Sequence, residues 1–484
     1  MKKATVSRPW IRLSSKRLGF YLGIAALVSL VIQLVFRAAP IIVLLAGLIV
    51  VFGLVAFISK GAYNAGSWFV IFYVSGNVLV AVYAKTLMGQ PLDSFLFAPL
   101  DSFLVLLACV LELCFALIIA SIVPLGRPLL RPTSNVSLLR RLSWGSFAFG
   151  LLSWFLNYYF QGSTGGGHAI FAILQDLLLM AVIARTAMLL EMSNDSKNID
   201  SALALILAAS VFLGLRSDSK TRAAYPIVSY FATILFYRRG LPLKQLLVLI
   251  IGGALFLFML VPMIQAWRYL GLRQISLKQR VVMMLGDAQD VLLNGKYQEF
   301  VDLGQIQFHG GYYDYFGGDG NAQQVLGRYA SVQQIDPVIA QVNWQHSLGG
   351  NVIWPAFTRL LPRAVYPNKS PYIEGYYILV DLGLISPDAG KYPTVPLSAQ
   401  AYAAFGVPGV LFLPFFTFLG FLLALKKFGW NLYRNVYTIF LFCVFIVVYA
   451  AQGTLGQYAG AVLLNIPLYL AVFILLGVSK RSRW

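Results

Sequence analysis

Residues 40–59, PIIVLLAGLIVVFGLVAFIS, decide the class of fold, because this run of consecutive positions carries no charged side chain. The apolar core of a bilayer is about 30 Å thick, and roughly 20 apolar helical residues cross it. Similar runs recur along the 484 residues, of which 59% are hydrophobic and 11% are charged. The sequence therefore predicts an all-α polytopic integral membrane protein.

Twelve apolar runs bounded by charged residues, Pro or Gly predict about twelve transmembrane helices. The predicted spans are 18–36, 40–59, 67–84, 98–123, 143–161, 169–190, 199–215, 223–237, 245–265, 401–425, 436–453 and 457–478. They divide the chain into an N-terminal membrane bundle of about nine spans (1–265), a loop subdomain (266–400) and a C-terminal bundle of about three spans (401–484). A connection as long as 266–400 is more than a linker, and we expect it to fold as a mainly helical extracytoplasmic subdomain.

The formal net charge of +19 comes mainly from the predicted loops on one side of the membrane. With a cytoplasmic N-terminus, the loops on that side hold twenty-one Lys or Arg and only three acids, Glu191, Asp195 and Asp200. The large segment 266–400, on the other side, carries ten residues of each sign. This is the positive-inside pattern, so it predicts that both termini are cytoplasmic, and it disfavours nucleic acid as a partner.

Charged residues within the predicted spans are functional candidates, because a charge at membrane depth is costly. Those at membrane depth are Glu112 in the fourth span and Asp176 and Arg185 in the sixth. Asp176 and Arg185 are separated by about 13 Å along a helix, so each needs a partner elsewhere. Interhelical polar contacts that fix the packing are the alternative to a catalytic role.

Two basic stretches fall on the predicted outer side, where the positive-inside rule gives no reason for Lys or Arg to accumulate. LGLRSDSKTRAAYP (213–226) contains Arg216 and Arg222, and it predicts an anion site or, alternatively, a structurally bound lipid headgroup. FTRLLPRAVYPNKSPY (357–372) sets Arg359, Arg363 and Lys369 among prolines that stiffen the backbone. Guanidinium forks suit a diphosphate, and Arg328 in VLGRYA is a further candidate for binding one.

Aromatic residues are concentrated at 309–323, HGGYYDYFGGDGNAQ, where Tyr312, Tyr313 and Tyr315 lie among glycines. The stretch lacks the features of a nucleotide phosphate loop. Two interpretations remain: an aromatic platform for sugar rings, or a turn whose aromatic rings pack into the subdomain.

LPRAVYPNKSP (361–371) and SAQAYAAFGVPGVLF (398–412) together resemble motifs of the Wzy-type polymerases of O-antigen and exopolysaccharide. The number of predicted spans and the single large loop late in the chain are similar to that family as well. Two positions depart from the family pattern: Gln400 stands where an acid is usual, and Ser370 separates Lys369 from Pro371.

The resemblance implies a GT-C-like, metal-independent membrane glycosyltransferase without a cofactor. It would act in the bacterial inner membrane, with its active site facing the periplasm. A glycan on polyprenyl diphosphate would be the donor, a lipid-linked repeat unit the acceptor, and a chain-length regulator a possible partner. Cations would stabilise the departing diphosphate, with Arg363 as the first catalytic candidate.

Deprotonation of the acceptor hydroxyl calls for a base, and His346 in NWQHSLGG is the candidate nearest to the basic stretch, ahead of Glu374 and Asp381. The predicted sugar-binding residues are Tyr312, Tyr313, Tyr315 and Tyr402. A ligase that uses the same lipid diphosphate and a flippase or transporter for lipid-linked glycans remain alternatives. The first outer loop, RAAP (37–40), lacks acids, which disfavours a transferase that uses a polyprenyl monophosphate.

Overall fold

The computed structural model describes residues 10–12, 14–160, 167–216, 220–256, 330–358, 360–361, 374–387 and 394–478. Between 257 and 373 it also describes positions 263–264, 279, 282–283, 286, 289–290, 315–316 and 366. Within these residues the chain is predominantly helical, with one antiparallel ribbon of two short strands, β1 (Trp10–Arg12) and β2 (Gly240–Pro242).

In chain order the helices are α1 (Ser15–Val35), α2 (Pro40–Lys60), α3 (Ala65–Leu87), α4 (Pro99–Ile122), α5 (Val136–Tyr159), α6 (Gly167–Leu174), α7 (Leu177–Met192), α8 (Ser201–Arg216), α9 (Lys220–Arg238), α10 (Leu243–Leu255), α11 (Val332–Gln345), α12 (Trp354–Thr358), α13 (Glu374–Asp381), α14 (Leu397–Phe428), α15 (Val436–Ala450) and α16 (Leu455–Gly477).

Among the described residues, seven stretches of helix are long and apolar enough to cross a membrane. They are α1, α2, α3, α4, the stretch Ile170–Met192 that includes α7, α14 and α16. The other predicted spans fall on helices that are shorter or less apolar, such as α8, α10 and α15. A predominantly helical, multi-pass membrane protein is thus confirmed, whereas the count of twelve spans stays a prediction.

Helix α2 receives its N-terminal cap from another part of the chain. Pro40 is its first residue, a position where the missing amide of proline costs nothing. The residue before it, Ala39, offers no side-chain acceptor, and its amide donates instead to Asp93 Oδ2 at 3.2 Å. The loop between α3 and α4 is thereby tied to the start of α2.

Helix α4 is capped in the same way by Asp336 of α11. The amides of Phe97 and Ala98 donate to its carboxylate at 2.6 and 2.9 Å, and the Ser102 hydroxyl donates at 2.9 Å. A negative charge at a helix N-terminus is favourable, because unpaired amides converge there. Asp336 therefore fixes α11 to the start of a membrane helix more than two hundred residues earlier.

The start of α11 is inserted into the bundle beside a π-helical turn of α3, Ser75–Leu79. The Ser331 amide donates to the Gly76 carbonyl at 3.0 Å. A π turn displaces carbonyls from their usual partners, so the inserted amide satisfies an acceptor that the wider turn leaves open. Residues 331–339 are all buried as a result.

Helix α14 turns sharply at Phe405 and Gly406, where the backbone leaves helical geometry and Gly406 adopts a φ of 62°. A Cβ on Gly409 would lie 2.0 Å from the Ala401 carbonyl oxygen. Residues eight apart in a straight helix are separated by about 12 Å. The short segment 397–404 therefore packs against the start of the long segment 407–428, and the FG pair of the AYAAFGVPG motif forms the corner.

One end of the bundle, which we call the basic end, gathers the loops around residues 61–64, 123–135 and 429–435. The Ala65 amide donates to the Trp430 carbonyl, and Lys426 Nζ donates to the last carbonyls of α4 at 2.7–2.9 Å. Arg434 lies 3.2 Å from Asp195, just after α7. The described cations on helix ends and loops here are Lys16, Arg17, Lys60, Arg127, Arg131, Arg140, Arg141, Lys197, Arg238, Arg239, Lys244, Lys426, Lys427 and Arg434.

The opposite end, which we call the loop end, contains the connections α1–α2 and α3–α4, the last turn of α8, the first turn of α9, and α11. Lys85 of α3 is fully buried there. Its ammonium group donates to Gln90 Oε1 and Ser94 Oγ, both at 2.9 Å, and to the Tyr315 carbonyl. It also lies 4.2 Å from the centroid of the Tyr315 ring.

Tyr315 itself is 1% exposed and donates its hydroxyl to the Leu92 carbonyl at 2.7 Å. The ring that we predicted to bind a sugar is thus packed into the protein, because Lys85 and the loop after α3 enclose it. The described parts of 266–400 share one hydrophobic core with the membrane helices. Whether 266–400 forms a separate subdomain stays a prediction.

Candidate functional site

The predicted site residues are described only in part. Arg328, Arg359, Arg363, Lys369, Tyr312 and Tyr313 lie outside the described residues, so their roles stay predictions. Glu374 begins α13, but its side chain is not described. Arg216, Arg222, His346 and Tyr402 have described surroundings, and they fall into two clusters at the loop end.

The first cluster is built on a break in a membrane helix. Helix α6 ends at Leu174, Gln175 and Asp176 form a turn, and α7 begins at Leu177. Asp176 accepts a hydrogen bond from the Tyr469 hydroxyl of α16 at 2.6 Å. The predicted partner for this intramembrane carboxylate is therefore confirmed, and it comes from the far end of the chain.

Arg185 also has the partner that its position in the membrane required. Its guanidinium forms an ion pair with Asp200, the residue before α8. Burial alone would raise the pKa of Asp200, but hydrogen bonds from Arg185 and the Leu203 amide outweigh it and lower that pKa below its ordinary value. Arg185 and Asp200 are thus engaged with each other near the basic end, a contact that fits the packing interpretation.

Arg222 reaches the same helix break from the first turns of α9. Its Nη1 donates to Gln175 Oε1, and its charge faces the Asp176 carboxylate. The approach depends on Gly214 in the last turn of α8, where a Cβ would lie 2.5 Å from the Arg222 carbonyl oxygen. Only glycine at position 214 lets the end of α8 approach the start of α9 this closely.

Arg216, the last residue of α8, lies beside two aromatic rings of α5. Its guanidinium carbon is 4.7 Å from the ring centroid of Trp154 and 4.5 Å from that of Tyr158. The two rings are parallel, with centroids 5.8 Å apart. Planar contacts of this kind fix the orientation of a guanidinium.

Together these groups line a cleft that we call the arginine pocket. Its lining residues are Trp154, Gln175, Asp176, Leu178, Leu179, Ser210, Leu213, Gly214, Arg222, Tyr225 and Pro226, and Arg216 contacts Trp154 at its edge. The pocket thus combines one cation, Arg222, with one carboxylate and two aromatic residues, Trp154 and Tyr225. Of the six cations that the sequence predicted for one cavity, Arg222 lines this pocket and Arg216 contacts one of its lining residues; that they share a cavity stays a prediction.

An apolar groove lies on the same pair of helices. It is lined by Leu207, Ala208, Val211, Phe212, Leu215, Ile227 and Tyr230 of α8 and α9. Leu215 directly precedes Arg216, so the groove runs along α8 towards the residue beside the arginine pocket.

The second cluster, which we call the Asp101 chain, joins three distant parts of the sequence. The Tyr402 hydroxyl donates to Asn343 Oδ1 at 2.5 Å, and Asn343 Nδ2 donates to Asp101 Oδ2 at 2.7 Å. Tyr402 belongs to the short segment of α14, Asn343 to α11, and Asp101 to the first turn of α4. His346 follows α11 as an exposed residue with a φ of 152°.

Sequence reasoning missed Gln175, Tyr469, Asn343 and Asp101 as members of these clusters. Gln175, Tyr469 and Asn343 are ordinary polar residues whose partners lie 47 to 293 positions away, so local patterns carry no signal for them. Asp101 had one signal: it occupies the same place in PLDSFL (99–104) as Asp93 does in PLDSFL (91–96). Comparison of the chain with protein-family models, curated proteins and solved structures gives no match.

Proposed function

We propose that this protein is a polysaccharide polymerase. It transfers a growing glycan from polyprenyl diphosphate to the terminal sugar hydroxyl of a lipid-linked repeat unit, at the outer face of a bacterial inner membrane. The observation that carries the proposal is the arginine pocket, where Arg222 reaches the turn between α6 and α7 and Arg216 lies against the Trp154 ring of the lining. Chain segments that interrupt membrane helices commonly form substrate sites, because their backbone and polar side chains need a polar environment.

The proposal includes the orientation of the chain. Cations dominate the basic end, with Glu191, Asp195 and Asp200 as the acids beside them. Loops rich in Lys and Arg stay on the cytoplasmic side. We therefore assign the basic end to the cytoplasm and the loop end to the periplasm, with about twelve spans in a GT-C-like arrangement.

The chemistry needs positive charge where the diphosphate leaves. As the bond between the anomeric carbon and the diphosphate oxygen breaks, its electron pair stays on that oxygen. Cations fixed in advance stabilise this developing charge without reorganising. Arg216, held against Trp154 and Tyr158, is the group we assign to this task, and Arg363 is expected to join it.

Arg222 and Arg216 are assigned different tasks because the Asp176 carboxylate faces Arg222. The carboxylate faces Arg222 and offsets its charge, while Tyr469 holds the carboxylate in place. Arg222 is therefore assigned to positioning, through Gln175 and Asp176, and Arg216 to the leaving diphosphate. The apolar groove beside Arg216 offers a place for the lipid chain to enter from the bilayer.

The test incubates purified protein with polyprenyl-diphosphate-linked repeat units and separates the products by size. We expect a ladder of products from the wild-type protein. Arg216→Ala should lower the rate of ladder formation about 100-fold, the usual effect of removing one donor to a developing oxyanion, and Arg363→Ala should act in the same direction.

Arg141→Ala is the matched control, because Arg141 is an exposed arginine at the basic end. It should form the ladder at the wild-type rate. A single unchanged band from folded wild-type protein with the correct substrate would sink the proposal. Transfer of finished glycan to a different acceptor, without a ladder, would identify a ligase instead.

A further inference from the structure

The side-chain amide of Gln175 has one end engaged and one end without a partner. Gln175 lies in the turn between α6 and α7, is 5% exposed and lines the arginine pocket. Its Oε1 accepts from Arg222 Nη1. A guanidinium can only donate, so the oxygen of the amide and not its nitrogen must face Arg222. The nitrogen, Nε2, is buried and has no hydrogen-bond partner among the described residues.

A buried donor in the wall of a cleft points to an acceptor that enters the cleft. Buried polar groups of native proteins are almost always hydrogen-bonded. The cavity has a volume of about 40 Å³. One water needs roughly 10–15 Å³ on this measure, so the cavity has room for a small polar group or one edge of a larger ring.

The charges of the cleft favour a neutral group over an anion. Arg222 and Asp176 are the charged residues of the lining, and their charges are opposite. A hydroxyl group can use both sides of the cleft, because it accepts from an amide and donates to a carboxylate. The Asp176 carboxylate can accept further hydrogen bonds beside the one from Tyr469.

The ring of Trp154 joins this cleft to the cation assigned to the leaving diphosphate. Trp154 lines the cleft, and its ring centroid is 4.7 Å from the guanidinium carbon of Arg216. An indole ring packs well against the apolar face of a sugar. In the proposed donor a single oxygen separates the first sugar from the diphosphate, so a sugar edge in the cleft fits with a diphosphate beside Arg216.

We propose that Gln175 determines which sugar the donor carries next to its diphosphate. Its Nε2 donates to a hydroxyl oxygen of that sugar, and the same hydroxyl donates to the Asp176 carboxylate. Arg222 is the positioning residue, because it fixes which end of the Gln175 amide faces the cleft. This inference rests on the proposed function, to which it adds the part of the donor that the arginine pocket recognises.

The experiment measures equilibrium binding to the purified protein in detergent, so it needs no turnover. The probes are bare undecaprenyl diphosphate and the same lipid carrying one glucose, galactose or N-acetylglucosamine residue. We expect the best of the three sugar-bearing lipids to bind the wild-type protein about tenfold more tightly than the bare lipid, because it gains hydrogen bonds to buried groups. The ratio of the two affinities cancels any change that affects both lipids alike.

Gln175→Glu removes the donor and keeps an oxygen for Arg222, so the ratio should fall to about 2 or less. Gln175→Met has the same length without an added charge, and it should lose the ratio as well if the glutamate variant does not fold. Gln457→Glu is the matched control. Gln457 is exposed, and its Oε1 accepts the Thr454 amide in a capping box that glutamate forms equally well. This variant should keep the wild-type ratio.

Equal binding of all four lipids by the wild-type protein would overturn this inference, and the polymerase proposal would stand if the ladder forms. A wild-type ratio in either folded Gln175 variant would overturn it too, including the case in which both lipids bind more weakly to the same extent. A tenfold ratio without a ladder would support the sugar site and overturn the polymerase alone.

Discussion

Asp336 shows two opposing effects on a single side chain. Burial raises the pKa of its carboxyl group above the ordinary value, whereas hydrogen bonds from Phe97, Ala98 and Ser102 lower it. Burial dominates, so the pKa is raised overall. The charged carboxylate of Asp336 is the better hydrogen-bond acceptor for the start of α4. Its burial, however, removes the water that would stabilise the charge.

The stability of the protein should depend on pH through this residue. Because the pKa of Asp336 is higher in the folded state, the folded protein retains a proton that the unfolded chain releases. Its contribution to stability is fully present below the ordinary carboxyl range, near 3.9, and is lost as pH rises towards the folded pKa. Asp336→Asn cannot titrate, so the difference in thermal midpoint between wild type and variant should shrink as pH rises through that window.

The Asp336→Asn variant should also be less stable than wild type by about 1–3 kcal/mol, because one cap oxygen is replaced by an amide nitrogen that cannot accept. Thermal midpoints in detergent at several pH values measure both effects. Parallel curves for the two proteins would contradict the role assigned to burial.

At the scale of single residues, the sequence identified the charges that matter better than it identified their partners. Arg216, Arg222 and Asp176 stood out because cations on the outer side and carboxylates in the membrane are unusual. Their neighbours Trp154 and Tyr469 are ordinary aromatic residues of apolar helices, so only the folded chain reveals their contacts.

Helix α14 is the element whose shape departs most from what its sequence indicates. The run 401–425 is uniformly apolar, which predicts one straight span, and the structure instead has a corner at Phe405–Gly406. A hydropathy pattern shows only that the side chains of a segment face lipid or the protein core. The corner is specified by backbone freedom at Gly406 and by the absence of a side chain at Gly409, neither of which affects the apolar pattern.

Gly409→Ala should therefore destabilise the corner. The added Cβ would overlap the Ala401 carbonyl oxygen, a backbone atom that cannot move aside cheaply. We expect the free energy of unfolding to fall by about 2 kcal/mol or more, seen as a lower thermal midpoint in detergent.

Gly420→Ala supplies the control within the same helix, because nothing lies within 4 Å of the position that its Cβ would occupy. It should leave stability unchanged or raise it by up to about 1 kcal/mol, since alanine is the better helix former. Equal midpoints for the two alanine variants would mean that the corner is not tightly packed.

The turn between α6 and α7, within the candidate span Ile170–Met192, is a second feature that the apolar pattern does not specify. The apolar run 169–190 predicts one span, and Asp176 within it was noted as an isolated charge. The break at Gln175 and Asp176 accompanies contacts from α9 and α16, through Arg222 and Tyr469. A sequence pattern of about twenty residues holds no information about partners that far away.

At the scale of the whole molecule, the class of fold was predictable, because hydropathy and loop charge are properties of the entire chain. The interior position of α11 was not predictable: its residues 331–339 are buried although Gln333, Gln334 and Asp336 are polar. Such a segment is read as a surface helix unless its partners are known.

The orientation can be tested with two single-cysteine additions. Ser347 is exposed at the loop end, and Ser134 is exposed at the basic end. A membrane-impermeant maleimide applied to intact spheroplasts should label Ser347→Cys and leave Ser134→Cys unlabelled. The wild-type protein is the background control, because Cys109 and Cys443 are buried and Cys114 is half-buried. The reverse labelling pattern would contradict the assigned orientation and place the arginine pocket on the cytoplasmic side.

The capping of α4 by Asp336 also constrains how the protein is made. The amide of Phe97 is synthesised 239 residues before the carboxylate that accepts it. At 5–20 residues per second, this interval is roughly 10–50 s of translation. The early helices therefore enter the bilayer with the end of α4 lacking its final acceptor, and the bundle reaches its mature form only after α11 inserts between helices already in place. A nascent chain stopped before residue 336 is expected to remain a substrate for the cell's membrane-protein quality control.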